Sequence, residues 1–216
     1  GMSALVRYFL KQGKIVAGYD RTPSELTTRL IEEGAILHFE ENTELIPEAC
    51  KDPLSTLVIY TPAIPADHKE WSLFRDGGFT IKKRAEVLGI ITKGKRGVCV
   101  AGTHGKTTTS TMTAHLLRCS AVDCAAFLGG ISKNYGSNLL TTDKSDLVVI
   151  EADEYDRSFL RLHPDIAVIT AVDADHLNRN TQLFAEPLHG VVIQKYGLGH
   201  RLHPVQIGAV QVGRGE

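Results

Sequence analysis

One stretch limits what this chain can fold into more than any other: Val98-Cys99-Val100-Ala101-Gly102-Thr103-His104-Gly105-Lys106-Thr107-Thr108-Thr109. An apolar run passes through a turn punctuated by two glycines into a lysine and hydroxyl residues that open a helix-like segment. Gly102 and Gly105 let the backbone turn tightly enough for several N–H groups to face one anion, and the next helix N-terminus adds the positive end of its dipole. Lys106 is placed to reach terminal phosphates, and Thr107 stands where a phosphate-binding loop puts the hydroxyl that binds Mg²⁺. The strict pattern G-x-x-x-x-G-K-[ST] fails, because its first glycine would fall on Val100. The competing reading is a chance Gly-Lys-Thr in an ordinary strand-turn-helix. The agreement of strand, turn and helix contexts favours the phosphate cradle.

A chain of 216 residues with 43% hydrophobic and 23% charged content can bury one large core or two modest ones, and two are expected here. A formal net charge of -1 gives no electrostatic case for nucleic acid or an acidic membrane surface, so an anionic ligand must be held locally. Apolar runs are too short to span a bilayer, and no basic segment followed by an apolar one opens the chain; a cytoplasmic protein is expected. Cys50, Cys99, Cys119 and Cys124 lack C-x-x-C spacing and read as reduced, partly buried thiols. His189, His200 and His203 lie in a Gly-rich tail without ligand-like spacing.

Along the chain, periodicity predicts a helix over 3–11 ended by Gly13, a strand over 15–19, a helix to about 33 stopped by Gly34, and strands over 35–39 and 57–60. Helices follow over 67–74 and 82–91. This is βαβ alternation. Asp20 ends the first strand, where it either contacts a ribose or base or caps the next helix. Thr61 begins a proline-stiffened loop at another strand end. A domain boundary is expected at 92–95. Beyond the loop come a helix over 107–117 and a strand over 123–128. The segment 129–138, containing Asn134 and Asn138, is too polar and Gly-rich for regular structure and reads as a substrate-facing loop.

A strand over 147–150 delivers Glu151-Ala152-Asp153-Glu154-Tyr155-Asp156, four carboxylates within six residues beside the phosphate loop. Mg²⁺ takes oxygen ligands and bridges carboxylate to phosphate, so a cation is expected there. The alternative is a solvated turn in which Asp153 caps a helix over 154–162. Another strand over 166–172 ends in Asp173-Ala174-Asp175-His176, and on general grounds such a histidine is more often a surface residue than a ligand.

Taken together, Ala101 to Thr109, the run Glu151-Ala152-Asp153-Glu154-Tyr155-Asp156-Arg157-Ser158-Phe159-Leu160 and Ala174-Asp175-His176 resemble, in order and spacing, the ATP- and cation-binding segments of the Mur ligases, closest to their alanine-adding branch. The resemblance implies an α/β chain: a Rossmann-like UDP-sugar-binding domain over 1–93, part of a P-loop-containing central ATPase domain over 94–177, and a divergent tail over 178–216 without the family's C-terminal ligase domain. The family's first strand and G-x-G-x-x-G turn are not matched, and Gly1 is either the last glycine of that turn or a tag residue.

For the site, the resemblance implies ATP held by Gly102, Thr103, His104, Gly105, Lys106, Thr107 and Thr108, with one Mg²⁺ on Thr107 and Glu151 and a second on His176. Lys106, Glu151 and His176 carry the catalysis, and Asp20, Thr61, Asn134 and Asn138 are candidates for the UDP-sugar. By the same resemblance the substrates are UDP-N-acetylmuramate and L-alanine, joined through an acyl phosphate in peptidoglycan synthesis. A chain this incomplete is expected to be inactive alone. A peptide-recycling ligase and a non-catalytic nucleotide-binding module are the alternatives, with homo-oligomerisation open.

Overall fold

The computed structural model describes residues 2–61, 64–152, 162, 164–171 and, for the backbone, 191–193. The chain divides into two compact units, Gly1–Leu88 and Gly89–Glu216.

The first unit begins with helix α1 (Met2–Lys11), which buries Ala4 and Leu5 and stops at Gly13, whose positive φ of 69° suits a residue without Cβ. Strand β1 (Ala17–Tyr19) leads to α2 (Glu25–Glu32). The Ser24 side chain accepts from Thr27 N while the Thr27 hydroxyl accepts from Ser24 N, a reciprocal cap that fixes where α2 starts. Asp20 is therefore not the helix cap: its carboxylate accepts from Thr22 N at 3.1 Å, closing a local turn. Arg7 of α1 grips Glu33, just past α2, through Nε and one terminal nitrogen, each 2.7 Å from a carboxylate oxygen.

Strand β2 (Ile36–His38) runs parallel to β1, pairing Ala17 with Ile36 and Tyr19 with His38. Strand β3 (Leu57–Tyr60), α3 (Lys69–Asp76), β4 (Thr80–Lys83) and α4 (Arg84–Thr92) follow, with β3 and β4 also parallel. The expected helix over 82–91 is corrected at its start, because Lys82 and Lys83 belong to β4 and the helix begins at Arg84. The Lys83 backbone N–H donates to the Glu86 carboxylate at 2.8 Å, in the manner of a helix N-terminal cap. Among the described residues no strand joins the β1–β2 pair to the β3–β4 pair.

The second unit is one six-stranded sheet in the order β10-β9-β5-β8-β6-β7. Its members are β5 (Arg96–Ala101), β6 (Ala125–Ser132), β7 (Ser137–Leu140), β8 (Leu147–Glu151), β9 (Ile166–Ile169) and β10 (Val191–Ile193), with α5 (Lys106–Cys119) between β5 and β6. All neighbours are parallel except β6 and β7. Strands buried on both faces read as unbroken apolar runs, as Val98 to Ala101 and Leu147 to Ile150 do. Val98, Ala114, Cys124, Ala126, Leu128, Leu140, Leu147 and Val149 form a core that joins α5 to the sheet. Full burial of each large member contributes about 1.5–3 kcal/mol.

One expectation is overturned. The segment 129–138 is not an irregular loop: β6 continues through Gly129 and Gly130 to Ser132, turns at Gly136 (φ 60°) and returns as β7. A register shift between Phe127 and Ser132 places the glycines in a bulge, which is how a strand tolerates them. Within the divergent tail, 191–193 adds a parallel strand to β9. The helix expected over 154–162 falls almost wholly outside the described residues.

Candidate functional site

Strand order locates the site. From β5 the chain passes through α5 to β6 on one side, then later crosses to β9 on the other, so β5 stands between β8 and β9 where the direction of winding reverses. Open parallel sheets bind ligands at the C-terminal ends of strands at this point. The loop from Gly102 to Gly105 occupies it. Gly102 (φ 128°) and Gly105 (φ 80°) both take backbone conformations that disfavour a side chain, and Gly105 is the N-cap of α5 with no side chain closing the helix end. The first N–H groups of α5 therefore face outward beside the loop.

Lys106 Nζ arches back over the loop, 2.6 Å from Gly102 O. The Thr103 hydroxyl oxygen is buried without a hydrogen-bond partner, a polar atom suited to a phosphate oxygen. His104 and Thr108 are exposed beside it. Strand pairing sets Val100 opposite Glu151, and this brings the Glu151 carboxylate against the first turn of α5. Thr107 Oγ1 donates to Glu151 Oε1 at 3.0 Å, Gly129 N donates to Oε2 at 2.9 Å, and Ser110 Oγ lies 3.4 Å from Oε2. A hydroxyl and a carboxylate side by side next to a phosphate loop are the hard oxygen donors that Mg²⁺ prefers, so Thr107 and Glu151 fit that ion.

The structure thus brings together Gly102, Thr103, His104, Gly105, Lys106, Thr107, Thr108 and Glu151. His176 lies outside the described residues. Asp20 and Thr61 follow the C-terminal ends of β1 and β3 in the first unit, the ligand-binding edge of a parallel sheet. Asn134 sits in the β6–β7 turn with Nδ2 3.4 Å from His115 Nδ1, while Asn138 is buried in β7, only 2% exposed. Sequence reasoning missed Ser110, Gly129 and Thr170. Of these only Gly129, the first of a Gly-Gly pair, left a signal, and a polar 129–138 segment masked it.

Two family models match. One described as the Mur ligase family, catalytic domain, covers residues 1–96, and one described as the Mur ligase middle domain covers 100–184. The chain belongs to the Mur ligase family. A protein of Phocaeicola vulgatus named UDP-N-acetylmuramate--L-alanine ligase is 68% identical over 178 residues, which are 82% of this chain and 39% of that protein. One of the same name from Porphyromonas gingivalis is 60% identical over 178 residues, again 82% and 39% of the two.

Among solved Mur ligase structures, the UDP-N-acetylmuramate-alanine ligase of Thermotoga maritima superposes with a TM-score of 0.79 at 28% identity, covering 89% of this chain and 46% of that one. A UDP-N-acetylmuramate:L-alanyl-gamma-D-glutamyl-meso-diaminopimelate ligase from Neisseria meningitides shares the fold, with a TM-score of 0.75 at 23% identity over 84% of this chain and 62% of that one. The chain spans about two fifths of the length of the curated relatives it matches.

Proposed function

We propose that this chain forms the UDP-sugar-binding and ATP-binding portion of a Mur ligase that joins L-alanine to UDP-N-acetylmuramate. The observation that carries the reading is the placement of Glu151 against Thr107 at the mouth of the Gly102–Gly105 loop, in a chain 68% identical to a protein named for that reaction. The reaction first makes an acyl phosphate by attack of the muramyl carboxylate on the γ-phosphate of ATP, and the amine of L-alanine then displaces the phosphate.

Catalysis of the first step is positioning and charge neutralisation. The N–H groups at the α5 N-terminus and the Lys106 ammonium would hold the phosphates, and Thr107 and Glu151 would hold a magnesium ion, with His176 the candidate for a second. Magnesium supplies charge neutralisation on the phosphate oxygens. Asp20 and Thr61 are the candidates in the first unit for contact with the UDP-sugar, and Asn134 is the candidate in the second. Asn138 is too deeply buried to be retained. The division between the two roles falls at 92–95, and both nucleotides place the enzyme in the cytoplasm.

The test has two arms. Calorimetry on the 216-residue chain should detect Mg²⁺-dependent ATP binding. In the whole enzyme, ADP release should depend on UDP-N-acetylmuramate and be greater with L-alanine than with a tripeptide as acceptor. Preference for the tripeptide would make it a peptide-recycling ligase, and nucleotide binding without substrate-dependent ADP release would make it a non-catalytic module.

A further inference from the structure

Thr170 follows β9 and is 2% exposed. Its hydroxyl lies 3.1 Å from Ala101 O and makes a shorter hydrogen bond to His104 O, on the far side of the loop. A hydroxyl has one proton to donate. Ala101 O accepts the Thr170 backbone N–H at 3.0 Å as well, and of the two carbonyls His104 O is the nearer to the hydroxyl and the one assigned its proton. The next residue continues the same contact: Thr103 N donates to Ala171 O at 3.0 Å. Gly102 is pressed against this edge as well, because a Cβ there would overlap Thr170 Oγ1 and stand 2.8 Å from both Ala171 N and Ala171 O. The glycine is thus required by the packing of the loop on β9 and not only by the loop's own turn.

The consequence lies in one peptide plane. The bond between His104 and Gly105 is trans, so the carbonyl of His104 and the N–H of Gly105 point in opposite directions. Turning the carbonyl toward Thr170 turns the Gly105 N–H away from β9. Without the hydroxyl, His104 O loses this hydrogen bond, and with it one restraint on the direction of the peptide and of its N–H.

We infer that Thr170 is a positioning residue of the phosphate site: it touches no ligand, and it sets ATP affinity by fixing the direction of the Gly105 N–H. The inference rests on the phosphate-loop reading given above. The experiment is ATP titration by calorimetry, with Mg²⁺ present and well below the unfolding temperature, on the full chain and on Thr170→Val, Thr170→Ala, Thr170→Ser and Lys106→Ala. Removing the hydrogen bond that orients this peptide should weaken ATP binding about tenfold in the Val and Ala variants. The Ser variant, which keeps the hydroxyl, should stay within about twofold of the parent. Ser and Ala differ only in the hydroxyl, so this pair decides the matter even where Val does not fold. A packing role alone would lower thermal stability in Ser and Ala alike without restoring affinity in Ser. Parent-like affinity in the Ala variant, or equal weakening in Ser and Ala, overturns the inference while a weakened Lys106→Ala leaves the loop reading standing. Parent-like affinity in Lys106→Ala removes the loop reading and this inference with it.

Discussion

The Thr107 hydroxyl donates to the Glu151 carboxylate across 44 positions of sequence, at 3.0 Å. The contact exists because β8 pairs with β5, so the end of one strand arrives beside the loop that ends the other. Glu151→Gln keeps the shape and removes the charge. Mg²⁺-dependent ATP binding should then weaken about tenfold or more, with metal-free binding nearly unchanged. Gly129→Ala should act in the same direction without touching the charge, because a methyl group there would overlap both carboxylate oxygens. Calorimetry with and without Mg²⁺ reads both. Equal Mg·ATP affinity in Glu151→Gln would make the carboxylate a plain structural acceptor.

Lys106 offers a second prediction. Its ammonium is 2.6 Å from Gly102 O and 3.4 Å from Thr103 O, so it is already held above the loop. Lys106→Ala should weaken ATP binding at least about tenfold, which is 1.4 kcal/mol. Lys106→Arg should not restore it, because a planar fork cannot occupy the place of a compact point charge. Full affinity in the Arg variant would show that charge alone, not shape, is required.

The phosphate loop was legible because its chemistry is local: glycine, lysine and threonine must stand in a fixed order to make it. Glu151 was legible for a related reason, as a carboxylate at the end of an apolar run. The β6–β7 hairpin was not, since glycines that mark a bulge in a strand and glycines that mark a loop look the same until the partner strand is known. β4 was hidden by its two lysines, which suit a helix as well as an exposed strand. Thr170 and Ser110 were invisible, because each acts through a contact with a residue 41 or more positions away.

In the first unit, the Arg7–Glu33 pair should contribute to stability in an uneven way. The Arg7 side chain is 5% exposed and that of Glu33 39%. Glu33→Ala leaves a buried guanidinium without its carboxylate, whereas Arg7→Met leaves a carboxylate that water can reach, with the apolar stem replaced. Loss of the charged hydrogen bonds should cost about 1.5–3 kcal/mol in either variant, and Glu33→Ala should be the worse. Urea unfolding of the two variants and the parent measures this. The reverse order would mean that Arg7 is held by its other neighbours and that the bridge matters little.

The last prediction concerns alkaline pH. Burial, with a smaller effect from the Asp165 charge, pushes the Cys99 thiol from its ordinary 9.0 up to about 12, and burial pushes Cys124 up to about 11. Above pH 9 the unfolded chain gives up these protons while the folded chain keeps them. The folded state then binds more protons than the unfolded one, so stability must fall as pH rises. The loss runs from about pH 9 to about 11 for Cys124 and to about 12 for Cys99. At about pH 10.5 each thiol accounts for a loss of about 2 kcal/mol, at 1.36 kcal/mol per unit. Lysines and tyrosines titrate in the same range, so a single melting curve cannot isolate the thiols. The comparison that can is parent against Cys99→Ala/Cys124→Ala, by urea unfolding at about pH 8 and about pH 10.5, because the other groups are common to both. The double variant should start less stable, having lost two buried side chains, and should then lose less of what it has. An equal pH-dependent loss in the two proteins would mean that the thiols of β5 and of the segment before β6 ionise as readily folded as unfolded, and that water reaches them.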